Sequence, residues 1–130
     1  MIYVDTSVAL ALLLAESRRP SDNLWHESLV SSRLLTYELW TRLHVYDIQE
    51  VHRDTARLLI GRVSLIEMTP AALDWIVDSI PIDVNLRTLD AIHIATCVYL
   101  RNAGQEISLA SYDLRMSAAA TSLNIPLFDS

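Results

Sequence analysis

Four acidic residues stand where predicted strands meet predicted helices, a position from which carboxylates can do chemistry. Asp5 follows the first predicted strand, Glu38 the second and Asp113 the fourth, while Asp90 lies in the first turn of the helix that leads into the fourth. Singly, each acid is explained by helix capping, because a carboxylate accepts bonds from free N–H groups and favours the helix dipole. The four together need a further explanation.

All four acids are expected at one edge of the molecule. In a parallel sheet the carboxyl ends of the strands and the N-termini of the covering helices meet at the same edge, where open α/β sheets bind ligands. Like charges held close together resist joint ionisation, and a bound cation relieves that cost. Oxygen ligands without cysteine or a histidine pair at zinc spacing favour Mg²⁺ or Mn²⁺. Such a site clamps phosphates and activates water for attack on a phosphodiester.

Two further residues lie close in sequence to these acids and are possible supporting residues of the site. Ser7, two residues after Asp5, can orient a carboxylate, a bound water or a phosphate, or can simply be a polar residue of the first helical turn. His93 lies three residues after Asp90 on the same helical face. It serves either as a partner to a carboxylate or substrate, or as a packed core histidine.

The elements that position these residues alternate between strand and helix. Short apolar runs predict five strands: Ile2–Val4, Arg33–Thr36, Ser64–Met68, Ile107–Ala110 and Ile125–Phe128. Helices are predicted through Ala15, over about Asp22–Val30, through about Glu50, over about Asp54–Arg62, from Pro70, from Thr88 to Gly104 and over Leu114–Leu123. Continuous apolar strands are typical of strands buried on both faces. The prediction is an α/β fold with a parallel sheet covered by helices on both faces.

Composition limits the architecture and the location. With 130 residues and 52% hydrophobic residues, the chain is expected to form one domain over residues 1–130. A mean hydropathy of +0.26 indicates apolar surface that a partner or second copy covers. The longest apolar run, Val8–Ala15, is too short to span a membrane, and no basic segment precedes it as in a signal peptide. One cysteine, Cys97, fits a reducing compartment, so we expect a cytoplasmic protein without membrane contact.

The charge balance argues against general nucleic-acid binding. The net charge is −6, and all ten fixed positive charges belong to arginine because the sequence contains no lysine. Affinity for a phosphate backbone comes from cationic contacts. Any nucleic-acid function therefore requires local arginines or bound metal ions.

Four segments carry a family resemblance: "YVDTSVAL", "TYELWTRL", "RTLDAIHIATCVYL" and "SLASYDLRMSAAATSLNIPLFD". In order and spacing they resemble the motifs of PIN-domain nucleases, most closely the VapC-type toxins of bacterial toxin–antitoxin pairs, over nearly the whole chain. The resemblance implies a PIN-like α/β/α sandwich with a five-stranded parallel sheet of order 3-2-1-4-5. It also implies an endoribonuclease that depends on Mg²⁺ or Mn²⁺, acts as a toxin and forms a homodimer. A small VapB-type antitoxin is then expected to bind across the active site.

Carried over by motif position, the implied metal-binding and catalytic acids are again Asp5, Glu38, Asp90 and Asp113. Relatives often carry a further acid or amide a few residues past the fourth carboxylate, where this chain has Arg115 and Ser117. Arg115 and Arg87 are the arginines nearest the predicted edge, and they either contact RNA or remain solvated or carboxylate-paired.

Two other functions fit parts of the pattern. A phosphatase that uses Asp5 as nucleophile is disfavoured, because this chemistry needs a second aspartate where Ser7 stands and a lysine that the chain lacks. A catalytically silent binding module, whose acidic cluster docks an arginine-bearing partner, stays open. Metal-dependent turnover distinguishes it from the nuclease.

Overall fold

The computed structural model describes residues 1–14 and 22–128. The strands are β1 (Ile2–Val4), β2 (Leu29–Ser32), β3 (Val63–Ile66) and β4 (Ser108–Ala110). The helices are α1 (Thr6–Leu13), α2 (Leu34–Val45), α3 (Gln49–Gly61), α4 (Pro70–Asp78), α5 (Thr88–Asn102) and α6 (Leu114–Ser122), with a 3-10 helix over Asp22–His26. The predicted end of the first helix at Ala15 lies outside the described residues.

The strands form one parallel sheet of order β3-β2-β1-β4. In register, Tyr3 of β1 pairs with Val30 of β2 and with Leu109 of β4. The predicted α/β class, with a parallel sheet flanked by helices, is therefore confirmed, as is the order of its first four strands.

The predicted fifth strand is wrong: the described residues form four strands. Ile125–Phe128 lies beside β4 but makes only an isolated parallel bridge between Leu127 and Leu109. The Leu109 N–H donates to the Pro126 carbonyl, and the Phe128 N–H donates to the Leu109 carbonyl, each at 2.8 Å. Pro126 has no N–H to donate, which limits the ladder on this segment.

The second strand was predicted four residues too late. The structure places it at Leu29–Ser32 instead of Arg33–Thr36. Ser31 and Ser32 are buried although polar, because the Ser31 hydroxyl donates to the Val4 carbonyl at 2.7 Å and the Ser32 hydroxyl accepts the Leu34 N–H at 3.1 Å. Because two of its four residues are serines, this buried strand lacks the apolar run from which a strand is predicted.

This shift also changes the helices on either side. The helix predicted over Asp22–Val30 is only a 3-10 helix that ends at His26. Glu38 lies in the second turn of α2, one turn later than predicted. The helix predicted to run to about Glu50 ends at Val45, and α3 starts soon afterwards at Gln49.

Helices cover both faces of the sheet and enclose two hydrophobic cores. Successive side chains of β1 alternate between them, since Ile2 and Val4 enter the core shared with α1, α2 and α3, and Tyr3 enters the core shared with α5 and α6. Helix α4 packs against α5. The carboxyl edge of β1, where Asp5 follows, thus lies between the two layers.

In the part of the chain that the structure describes, none of the helices combines the length and apolar character needed to cross a bilayer.

Candidate functional site

A pocket of about 590 Å³ lies at the carboxyl edge of the sheet. Its walls come from the start of α1, from α2, from the start of α5 and from the start of α6. The acids predicted from the sequence all line it: Asp5, Glu38, Asp90 and Asp113. Ser7 and His93 line it as well. Its volume is in the range of small-ligand sites.

Asp5 is the most buried of these acids, with 2% of its surface exposed. As the N-cap of α1, its Oδ1 accepts the Val8 N–H at 3.1 Å and the Ser7 hydroxyl at 2.6 Å. Its Oδ2 accepts the Ser111 hydroxyl. Burial raises the pKa of Asp5, and these three donors oppose that rise. Asp5 thus caps α1 and also lines the pocket. Its Oδ2 keeps one lone pair that can accept a further bond.

Glu38 reaches the pocket from α2 and is held through one oxygen. Its Oε1 accepts the Thr6 hydroxyl at 2.8 Å and lies 2.5 Å from Nε2 of His93. In the described part of the chain no protein donor is bonded to Oε2. That oxygen therefore has both of its acceptor positions available.

Asp90 and Asp113 complete the acidic wall. No hydrogen bond within the described residues fixes the half-buried Asp90 carboxylate. Burial raises the pKa of Asp90, and the charges of Asp113 and Glu38 raise it further, while His93 and Arg87 oppose the rise. Asp113 is the N-cap of α6, where its Oδ1 accepts the Met116 N–H at 3.0 Å. The like-charge interaction among these carboxylates is the electrostatic feature that a cation would relieve.

Arginine and aromatic side chains lie at the rim of the same pocket. Of the two arginines expected nearest this edge, Arg87 lines the pocket, whereas Arg115 is exposed on α6 and does not. Arg42 of α2 also lines it, with its guanidinium carbon 5.9 Å from the centre of the Tyr46 ring. Tyr37 lines the pocket with 57% of its surface exposed. Two cationic side chains and an exposed aromatic ring therefore lie beside the acids.

The four carboxylates are ligands of the kind that a hard cation prefers, but they do not form a complete coordination site. Within residues 1–14 and 22–128 no three histidine, cysteine or acidic groups are arranged to hold a metal ion as they stand. Each carboxylate nevertheless keeps an oxygen with acceptor capacity. Mg²⁺ usually retains several waters and takes one or two protein carboxylates together with substrate phosphates, so the residues fit such a water-rich ion.

Several contacting residues were missed by reasoning from the sequence: Tyr3, Thr6, Arg42 and Ser111. Two had a usable local signal, since Thr6 follows Asp5 directly and Arg42 lies four residues after Glu38, one helical turn away. Ser111 and Tyr3 reach their partners across more than 85 positions in sequence, so no local spacing could identify them.

The family model described as "PIN domain" matches residues 2–122 of the chain. The matched span includes all four acids of the pocket, together with Ser7 and His93. Searches against curated proteins and solved structures found no match.

Proposed function

Because the chain belongs to the PIN domain family, we propose that it is an endoribonuclease that uses Mg²⁺ or Mn²⁺ to hydrolyse RNA phosphodiester bonds. PIN domains are typically nucleases, and they generally use divalent metal ions. The observation that carries the proposal is the pocket itself, where Asp5, Glu38, Asp90 and Asp113 share one wall at the carboxyl edge of the sheet.

The residues of the pocket divide the work of such a reaction. When bound, the metal ion would supply positive charge beside the scissile phosphate and lower the pKa of a water. Asp5 and Glu38 are pre-oriented by hydroxyl and imidazole partners, so they would hold it with little reorganisation. Asp90 would complete the ligand set or accept a proton from the attacking water. Asp113 would supply a further ligand oxygen while it keeps its N-cap bond to Met116.

Substrate contacts would come from the rim. Arg87 and Arg42, which line the pocket, would bind phosphates flanking the scissile bond, and the exposed ring of Tyr37 would stack on a base. In a chain of net charge −6 these few contacts favour a particular RNA over bulk RNA.

The biological role that we propose is the toxin of a type II toxin–antitoxin pair, which inhibits translation by cutting RNA in the cytoplasm. Members of the PIN domain family often pair with antitoxins and bind RNA, and the motifs of this chain resemble those of VapC-type toxins. The cognate partner would be a VapB-type antitoxin. The same resemblance implies a homodimer. Light scattering should then give twice the chain mass of 14.7 kDa.

A second candidate function is a binding module without catalysis. It is favoured by the absence, within the described residues, of three groups arranged to hold a metal ion, and by the saturation of Asp5 Oδ1 with two protein donors. In that case the acidic pocket would accept an arginine of a partner protein.

The deciding experiment measures cleavage of total RNA by the purified chain, freed of any partner, with Mg²⁺ or Mn²⁺ and with EDTA. We expect discrete fragments that disappear with EDTA and in Asp90→Asn, a variant that breaks no hydrogen bond within the described residues. Asp74→Asn, an exposed acid of α4, is the matched control and should cleave normally.

The same preparation is then melted with and without Mn²⁺. A ligand at a hundred times its Kd stabilises a protein by about 2.7 kcal/mol, so binding should be visible as a higher Tm. Absence of both cleavage and stabilisation would reject the nuclease and leave the binding module.

A further inference from the structure

A continuous chain of hydrogen bonds runs from the sheet into the pocket. The Ser32 N–H of β2 donates to the Tyr3 hydroxyl at 3.0 Å, and that hydroxyl lies 2.6 Å from Nδ1 of His93. Nε2 of His93 lies 2.5 Å from Oε1 of Glu38. Tyr3 is fully buried and His93 is 1% exposed, so the hydrogen bonds between the sheet and Glu38 are shielded from water.

The donors and acceptors assign a direction to this chain. Burial raises the pKa of the Tyr3 phenol, which therefore keeps its proton at neutral pH. The phenol oxygen already accepts the Ser32 N–H, so its own proton is available to Nδ1 of His93. Nε2 then carries the imidazole proton and donates a hydrogen bond to the carboxylate of Glu38. This assignment fixes the Nε2–H tautomer of the ring.

The bond from His93 converges with another on the same carboxylate oxygen. Thr6 of α1 and His93 of α5 both donate to Oε1 of Glu38, from opposite layers of the sandwich. Two donors on one oxygen restrict the rotation of the carboxylate and leave Oε2 as the oxygen available to the pocket.

Packing alone does not explain this arrangement. A histidine buried only to fill space would still need partners for both ring nitrogens, and any convenient backbone carbonyl would serve. Here one ring nitrogen is bonded to a buried phenol and the other to a carboxylate of the pocket. The rings of Tyr3 and His93 also meet in a T-shaped contact with centroids 5.6 Å apart, which restricts the orientation of the imidazole plane.

We infer that Tyr3 and His93 are positioning residues, which hold Glu38 with Oε2 directed to a divalent cation in the pocket. The inference rests on the proposed metal-dependent nuclease. Neither residue touches RNA; each acts through Glu38. Partners of this kind commonly alter metal affinity or activity about 10- to 100-fold when they are removed.

The first test needs no substitution and no metal. Long-range ¹H–¹⁵N NMR of the ¹⁵N-labelled protein reports which ring nitrogen of His93 carries the proton. We expect the Nε2–H form. A ring protonated at Nδ1 alone would overturn the inference and leave the proposed nuclease untouched.

The second test measures Mn²⁺ binding by electron paramagnetic resonance in wild type and Tyr3→Phe. The substitution removes one buried hydroxyl, and we expect the Kd for Mn²⁺ to rise by about 10-fold or more. The KM for RNA at saturating Mn²⁺ should not change, because Tyr3 makes no contact with substrate. Equal Kd values in the two proteins would overturn the inference.

Val63→Ala is the matched control for lost stability. Val63 is a buried residue at the amino end of β3, away from the pocket. It should lower the Tm and leave the Kd for Mn²⁺ unchanged. If wild type itself binds no Mn²⁺, the metal-dependent function and the positioning role fail together, an outcome distinct from equal binding by wild type and Tyr3→Phe. If Tyr3→Phe does not fold, His93→Leu, which removes the donor from α5 to Oε1 of Glu38, replaces it in the comparison. A Kd for Mn²⁺ equal to that of wild type would then overturn the inference.

Discussion

At the scale of single residues, substitutions of Asp113 can distinguish its role as a helix cap from its proposed role in the reaction. Its Oδ1 accepts the Met116 N–H as the N-cap of α6, and its charge contributes to the pocket. Asparagine caps as well as aspartate, whereas alanine costs about 1 kcal/mol. We therefore expect Asp113→Asn to keep its urea midpoint and Asp113→Ala to lose about 1 kcal/mol of unfolding free energy, while both lose RNA cleavage. Full cleavage by Asp113→Asn would remove this carboxylate from the reaction.

The raised pKa of Asp90 predicts a pH-dependent stability. Burial, followed by the charge of Asp113, makes ionised Asp90 less favourable in the folded state. Because the pKa of Asp90 is higher in the folded state than in the unfolded state, the folded protein binds the proton more tightly. The free energy of unfolding of wild type therefore falls as pH rises from the unfolded pKa to the folded pKa. Asp90→Asn lacks this loss, so it should be more stable than wild type at neutral pH without metal.

Urea unfolding across pH measures this difference. The advantage of Asp90→Asn should shrink as pH falls and vanish below about pH 3.9, where the carboxyl is protonated in both states. Adding Mn²⁺ should reverse the order at neutral pH, because only wild type keeps the full ligand set. An advantage that is constant across pH would mean that charge is not its cause.

At the scale of elements, the two glycines of the chain differ in what they do for helix ends. Gly104, two residues beyond α5, has a φ of +93°, and its amide donates to the Arg101 carbonyl at 3.0 Å. Gly61 is the last residue of α3, and a Cβ at either glycine would meet nothing within 4 Å. Both positions therefore have room for a methyl group, and they differ in backbone conformation.

Alanine at each position should have opposite effects. Gly104→Ala forces a left-handed residue and should cost about 1–2 kcal/mol. Gly61→Ala should instead stabilise by up to about 1 kcal/mol, since alanine favours the helix and restricts the unfolded chain. Urea unfolding of both variants checks the prediction. A loss at Gly61 equal to that at Gly104 would contradict it.

At the scale of the whole molecule, the charge distribution predicts a weak salt dependence of RNA binding. The net charge is −6, and two arginines line the pocket. Each phosphate neutralised on a single strand contributes a slope of about −0.7 to the logarithm of affinity against the logarithm of salt. Contacts from Arg42 and Arg87 would give a slope of about −1.4.

Fluorescence anisotropy with a labelled single-stranded RNA, the non-cleaving Asp90→Asn variant and fixed Mn²⁺ measures this slope between about 50 and 200 mM salt. Arg87→Gln should reduce it to about −0.7. Arg57→Gln, an exposed arginine of α3 outside the pocket, is the control and should leave the slope unchanged. A much steeper slope would point to a basic surface elsewhere.

The α/β class could be predicted from the sequence, as could most of the helices and the four acids at the carboxyl edge. These follow from local chemistry, because apolar runs, capping residues and the period of a helix are written within a few positions. Asp113 illustrates this, since its capping role is confirmed and follows from its place before Leu114. The chemistry expected of the pocket was likewise contained in the residue types.

Three features could not be predicted in this way: the position of β2, the lack of a strand at Ile125–Phe128, and the side chains that hold the acids in place. Ser31 and Ser32 can form a buried strand because residues distant in sequence, or the start of the next helix, satisfy their hydroxyls. His93 meets Tyr3 across 90 positions and Glu38 across 55. Such contacts depend on which faces the sheet brings together, and a one-dimensional pattern does not contain that information.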